Sequence, residues 1–127
     1  MISFDEFGDI LDKIALALPE AFYRELNGGV MLLPEVKREH DKAAGDLYIM
    51  GEYHLDSRMG RYITIYYGSF AKVCAHMSQE QLIDEIRETL LHEFTHHLES
   101  LAGEFGLEIK DAQELERFRH NNMSNKK

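Results

Sequence analysis

Residues 90–104 read Leu90-Leu91-His92-Glu93-Phe94-Thr95-His96-His97-Leu98-Glu99-Ser100-Leu101-Ala102-Gly103-Glu104. Ile83, Ile86, Leu90, Phe94, Leu98 and Leu101 recur at helical spacing and make one apolar stripe. His92 and His96 are four residues apart, so on a helix they stand one turn above each other on one face. Rotation about the axis places that face roughly opposite the apolar stripe. The helix is therefore anchored by one side and presents two imidazoles on the other. Two imidazoles so placed can converge on one zinc ion at about 2.0–2.1 Å. Glu93 is turned by roughly 100° from His92. Glu85, Glu88 and Glu99 fall on the histidine side.

Upstream, Ser78 with Gln81 three residues on forms a capping box. The spacing predicts the longest helix over 79–102, stopped by Gly103. A further helix is expected over 111–118, ahead of a polar tail. At the other end, Ser3 and Glu6 make another capping box, and Phe4, Phe7, Ile10, Leu11 and Ile14 follow at helical spacing. A first helix is predicted over 4–18. Pro19 interrupts it, and a second short helix fits 20–26, ended by Asn27-Gly28-Gly29. Residues 29–33 read as a strand closed by Pro34, and the charged stretch 35–45 as a loop. Residues 47–55 and 61–67, rich in Tyr and Ile, read as an antiparallel hairpin turning at 56–60. Gly68 ends the second strand, and a short helix is predicted over 69–76. The fold class is α+β: helices at both ends and a small, mainly antiparallel sheet between them.

The chain has 127 residues with a 44% apolar share, the size of one domain, expected over 1–127, with a core of its own. Cys74 is the single cysteine, so neither a disulfide framework nor a cysteine-based zinc site is possible within the chain. Cys74 reads as a small buried apolar residue. The opening MISFDEFGDILDKIALALPE has no basic leader region, and Asp5, Glu6, Asp9 and Asp12 interrupt its apolar residues. A cytoplasmic protein with no membrane partner is the expectation. The net charge of −9 at pH 7 argues against nucleic acid and anionic membranes as partners. It fits ordinary solubility best, and would also suit cationic substrates or metals.

The chain resembles the small bacterial zincin-like metallopeptidases, or minimal zincins. The resemblance rests on Thr89-Leu90-Leu91-His92-Glu93-Phe94-Thr95-His96-His97. Weaker matches are Leu18-Pro19, Gly45-Asp46-Leu47-Tyr48 and Ile63-Thr64-Ile65-Tyr66. It implies a zincin fold in which a strand hairpin roofs a cleft over the helix. It also implies zinc as cofactor, His92 and His96 as ligands, and Glu93 as the base. The family motif runs on as HExxHxxGxxD, with the Asp as third ligand. Here Glu99 stands at the Gly position and Ala102 at the Asp position. Glu99, three residues past His96 and on its face, is the first replacement; Glu104 follows, then Glu108, Glu114 and Glu116.

The function expected is hydrolysis of peptide bonds in a peptide or protein substrate, by water activated at zinc, with Glu93 moving the proton. An oxyanion donor is needed, and Tyr48, Tyr53, Tyr66 and Tyr67 are candidates. A hairpin edge could take an extended peptide by strand addition. Two alternatives stay open: a metal-binding module without catalysis, and a zincin scaffold used for protein binding. Oligomeric state is not legible. His97 reads as a packed or solvated histidine; His40, His54, His76 and His120 read as surface residues, with His54 able to fold back from its strand.

Overall fold

The computed structural model describes residues 1–43 and 45–105. The helix expected over 111–118, with Glu108, Glu114, Glu116 and His120, lies outside them. The first helix, α1 (Phe4–Leu16), carries the Ser3–Glu6 capping box: Glu6 N–H donates to Ser3 Oγ at 3.1 Å, and Ser3 N–H to Glu6 Oε1 at 3.0 Å. Phe7, Leu11 and Ile14 are its buried face. A 3-10 turn (Glu20–Tyr23) replaces the α-helix expected over 20–26.

Strand β1 (Gly29–Leu33) follows, then β2 (Lys37–Asp41), β3 (Gly45–Ile49), β4 (Gly51–Asp56) and β5 (Gly60–Tyr66). Among the described residues they form two sheets: a three-stranded one ordered β1-β5-β4, and a two-stranded one, β2-β3. The β4–β5 hairpin is antiparallel, with Gly51 opposite Ile65 and Asp56 opposite Gly60, as its sequence suggests. Two expectations need correction. The stretch 35–45 is not a loop, because Lys37–Asp41 pairs antiparallel with β3. Strand β2 is polar throughout, so it lacks the apolar alternation by which strands are read. The run 47–55 is two strands, because the chain changes sheets at Met50, whose carbonyl accepts the Tyr66 N–H at 2.9 Å. Strand β1 lies parallel to β5, so the larger sheet is mixed, while the other two pairings are antiparallel, in keeping with a mainly antiparallel fold.

Helix α2 (Tyr67–Cys74) begins two residues before the expected position and includes Gly68. The reason for glycine there is contact rather than strand termination. A Cβ on Gly68 would stand 2.6 Å from the backbone of Glu35 and Val36. Helix α3 (Gln79–Phe105) starts at the Ser78–Gln81 cap, with reciprocal bonds of 3.0 and 3.2 Å. It runs straight through Gly103, which does not act as a stop. Its buried positions Leu82, Ile86, Leu90, Leu91, Phe94, Leu98 and Leu101 meet α1, Phe22, Phe70, Cys74 and the inner face of β5, Ile63 and Ile65. Leu82 and Leu91 are core residues that the stripe omits, and Ile83 is only partly buried. Burial of this face against α1 and the sheet fixes how α3 is rotated, and so where His92 and His96 point.

Candidate functional site

The outward turn of α3 leaves His92 and His96 exposed, as their placement opposite the stripe requires. Their Nε2 atoms stand 3.1 Å apart and the rings are nearly perpendicular, at 88°. A tetrahedral ion bound at about 2.0–2.1 Å holds two ligand nitrogens about 3.3 Å apart. The pair thus has the bite of a zinc site before any ion is added, and its donor chemistry fits zinc. Among the described residues no three His, Cys, Asp or Glu side chains form a closed metal-holding group. Glu99 is exposed and lines the same cavity as both histidines. Glu104 is engaged elsewhere, accepting from the Arg61 guanidinium.

Edge strand β4 lies across α3 and forms the other wall. A Cβ on Gly51 would meet Thr89 Cγ2 at 3.0 Å, Ile65 Cδ1 at 3.1 Å and Glu93 Cγ at 3.3 Å. A larger residue there would push these side chains back by a few tenths of an ångström, so glycine suits the close approach of strand to helix. Two cavities open along the seam. One, of about 360 Å³, is lined by Tyr48, Ile49, Met50, Gly51, Glu88, Thr89, His92 and Glu93. The other, of about 700 Å³, adds Glu52, Tyr53, Leu55, His96, Glu99 and Ser100. His92 and Glu93 belong to both and so sit at the centre of one groove.

Glu93 is only 5% exposed, with no hydrogen bond or ion pair among the described residues. Burial, and then the nearby Glu52 carboxylate, push its pKa up to about 7. A carboxyl poised there is matched to proton transfer near neutral pH.

His97, beside this group, is fully buried. Its Nε2 lies 2.7 Å from the Arg24 carbonyl, which can only accept, so Nε2 carries the proton. Nδ1 must then accept, and Tyr53 donates its hydroxyl proton across 2.8 Å. Arg61, itself buried, donates to Ser100 Oγ at 3.1 Å and approaches the Tyr53 oxygen at 3.4 Å. This network ties β4 and β5 to α3 one residue beyond His96. Burial lowers the pKa of His97, with the Arg24 carbonyl opposing.

The outer face of the sheet carries a directed chain. Tyr66 donates to Glu52 Oε1 at 2.5 Å, and Thr64 donates to the Tyr66 oxygen at 3.2 Å. Thr64 Oγ1 can then only accept from His54 Nε2, at 2.9 Å. His54 stacks on Tyr62, with ring centroids 4.5 Å apart, and lines neither cavity beside His92 and His96. Burial and the Glu52 bond push the Tyr66 phenol up to about 12, so it remains a donor. Glu52, Arg61 and the Gly51 contact are not singled out by the sequence. The signal available for Glu52 is a carboxylate set among the Tyr and Ile residues of the stretch 47–55.

The four tyrosine candidates separate. Tyr53 and Tyr66 spend their protons as described, and Tyr67 donates to the Ile2 carbonyl. Tyr48 lines the groove beside His92 and Glu93, its ring faced by the Arg38 guanidinium at 5.7 Å.

A helix bearing two histidines at this spacing, crossed by an edge strand over a groove, is the zincin arrangement. The model of the zincin-like metallopeptidases matches residues 48–117. A solved structure, a conserved hypothetical protein from Thermo thermophilus, is 34% identical with a TM-score of 0.66, covering 80% of this chain and 98% of that one. No curated protein matches the chain. The chain belongs to the zincin-like metallopeptidase family. No helix among the described residues is long and apolar enough to cross a membrane.

Proposed function

We propose that this protein is a zinc-dependent peptidase working in the groove between β4 and α3. The observation that carries the reading is the 3.1 Å approach of two exposed imidazole nitrogens beside a buried, unpaired carboxyl. His92 and His96 would hold the metal, with Glu99 as third ligand. Zinc in that position supplies Lewis-acid activation of water and of the scissile carbonyl. Edge strand β4 pairs only with β5 among the described residues, so its outer edge can hold an extended peptide by main-chain hydrogen bonds. Glu93 takes the proton of the attacking water and passes it to the leaving amine. Tyr48 donates its hydroxyl proton to the developing oxyanion.

The second reading is a metal-binding module without turnover, favoured by the absence of a closed three-ligand group among the described residues. Incubating zinc-loaded protein and Glu93→Gln with a diverse peptide pool, followed by mass spectrometry, decides between them. Cleavage by the wild type, abolished in the variant while zinc stays bound, supports the peptidase. Stoichiometric zinc without any cleavage leaves the module.

A further inference from the structure

We infer that Glu52 selects a substrate carrying a cationic side chain next to the scissile bond, an inference that rests on the groove being the peptide site proposed above. A strand added to β4 brings one residue opposite Gly51, against Glu93 and His92. The adjacent residue then falls opposite Glu52, within direct side-chain reach on the other face of the added strand. Glu52 belongs to the outer face of the sheet, yet it sits on the edge strand and lines the groove.

Its carboxylate is held in place. Oε1 accepts the short bond from Tyr66, which the Thr64–His54 chain orients in turn, and Oε2 has no protein partner among the described residues. A fixed, half-satisfied carboxylate at the lip of a groove presents an acceptor for an ammonium or guanidinium group. The rest of the groove agrees. Neither cavity is lined by a lysine or arginine among the described residues, while Glu93 is nearly buried and unpaired at its centre. An acidic substrate residue opposite Glu52 would face like charge, with no lysine or arginine among the described lining residues to pair with it. A cationic one would pair with Glu52 through a charge-assisted hydrogen bond to the free Oε2.

The test uses three peptides identical except for Lys, Gln or Glu at the variable position. Binding is measured by calorimetry on Glu93→Gln, which is not expected to turn the peptides over, and on Glu52→Gln/Glu93→Gln. The amide oxygen introduced by Glu52→Gln still accepts from Tyr66, so the fold is kept while the charge is removed. The expected result is about tenfold or greater preference for the Lys over the Glu peptide, lost in the double variant and weakened by added salt. Equal affinity for the three peptides, or a preference that survives Glu52→Gln, overturns the inference. Cleavage by the zinc-loaded wild type is scored separately. Charge-blind cleavage leaves the peptidase and removes the Glu52 role. Charge-selective binding without any cleavage leaves Glu52 as a recognition residue and removes the peptidase.

Discussion

The hydroxyl of Tyr53 on the edge strand donates its proton to Nδ1 of His97 on the long helix, across 2.8 Å. This bond ties β4, one wall of the groove, to α3, the other. Tyr53→Phe leaves a fully buried ring nitrogen without a donor, which costs about 1–3 kcal/mol. Urea unfolding should show the loss at unchanged denaturant slope. An unchanged midpoint would mean that the bond does not brace the walls.

The same network makes stability depend on pH. The buried imidazole of His97 resists protonation, whereas in the unfolded chain it titrates near 6.5. Below that value the unfolded state binds more protons than the native one, so stability drops as pH falls. His97→Gln should flatten this part of the unfolding free energy between about pH 5 and 7. A slope unaltered by the substitution would place its origin elsewhere.

Glu93 acts with the opposite sign in the metal-free protein. Its native pKa is raised to about 7 from 4.5, so between those values the native state holds a proton that the unfolded chain has released. Stability therefore falls as pH rises through this window and is fully reduced above 7. The full effect is about 3 kcal/mol. Glu93→Gln should be more stable than the wild type at pH 8 and close to it at pH 4. Equal stability at both values would show that burial of this carboxyl costs nothing.

How much of this is legible in the sequence follows from which signals are local. The capping boxes at Ser3 and Ser78 and the stripe on α3 are written in spacings of three and four residues, and the structure keeps them. The outward turn of His92 and His96 follows from that stripe. Gly68 and Gly103 mislead because glycine has two uses. One of them admits the Glu35–Val36 backbone inside a helix start, and the other is carried within α3. Strand β2 is hidden because a wholly polar strand carries no alternation. Glu52 becomes visible only when β4 is laid against α3, since its role depends on Tyr66 and Glu93, fourteen and forty-one positions away.

Two glycines test the close approaches. At Gly68 the obstacle is backbone at 2.6 Å, which cannot rotate away, so Gly68→Ala should cost about 3 kcal/mol, the upper end of overpacking effects. At Gly51 the neighbours are side chains at 3.0–3.3 Å, and Gly51→Ala should cost about 1 kcal/mol. Because one of those neighbours is Glu93 Cγ, Gly51→Ala should also reduce turnover by more than its stability loss explains. Thermal melts together with kcat separate the two effects. If Gly68→Ala is the milder of the two, the chain does not pass its helix start as described.

The metal set gives the last prediction. Two imidazole nitrogens at 3.1 Å already have the spacing of a bound pair, so their contribution needs little rearrangement. Changes to groups that merely support metal ligands weaken affinity about 10–100-fold, and removing a ligand itself should exceed that. His92→Ala and His96→Ala should therefore each weaken zinc binding by more than about 100-fold in a competition titration. Glu99 is exposed and one turn beyond His96, free to swing toward the pair when an ion arrives. Glu99→Ala should fall into the same class as the histidine variants, whereas Glu104→Ala should retain zinc and lose stability, because its carboxylate holds Arg61. Full zinc affinity in Glu99→Ala would remove Glu99 from the ligand set and move the search to Glu108, Glu114 and Glu116. Zinc retained in both histidine variants would remove the site itself, and the proposed peptidase with it.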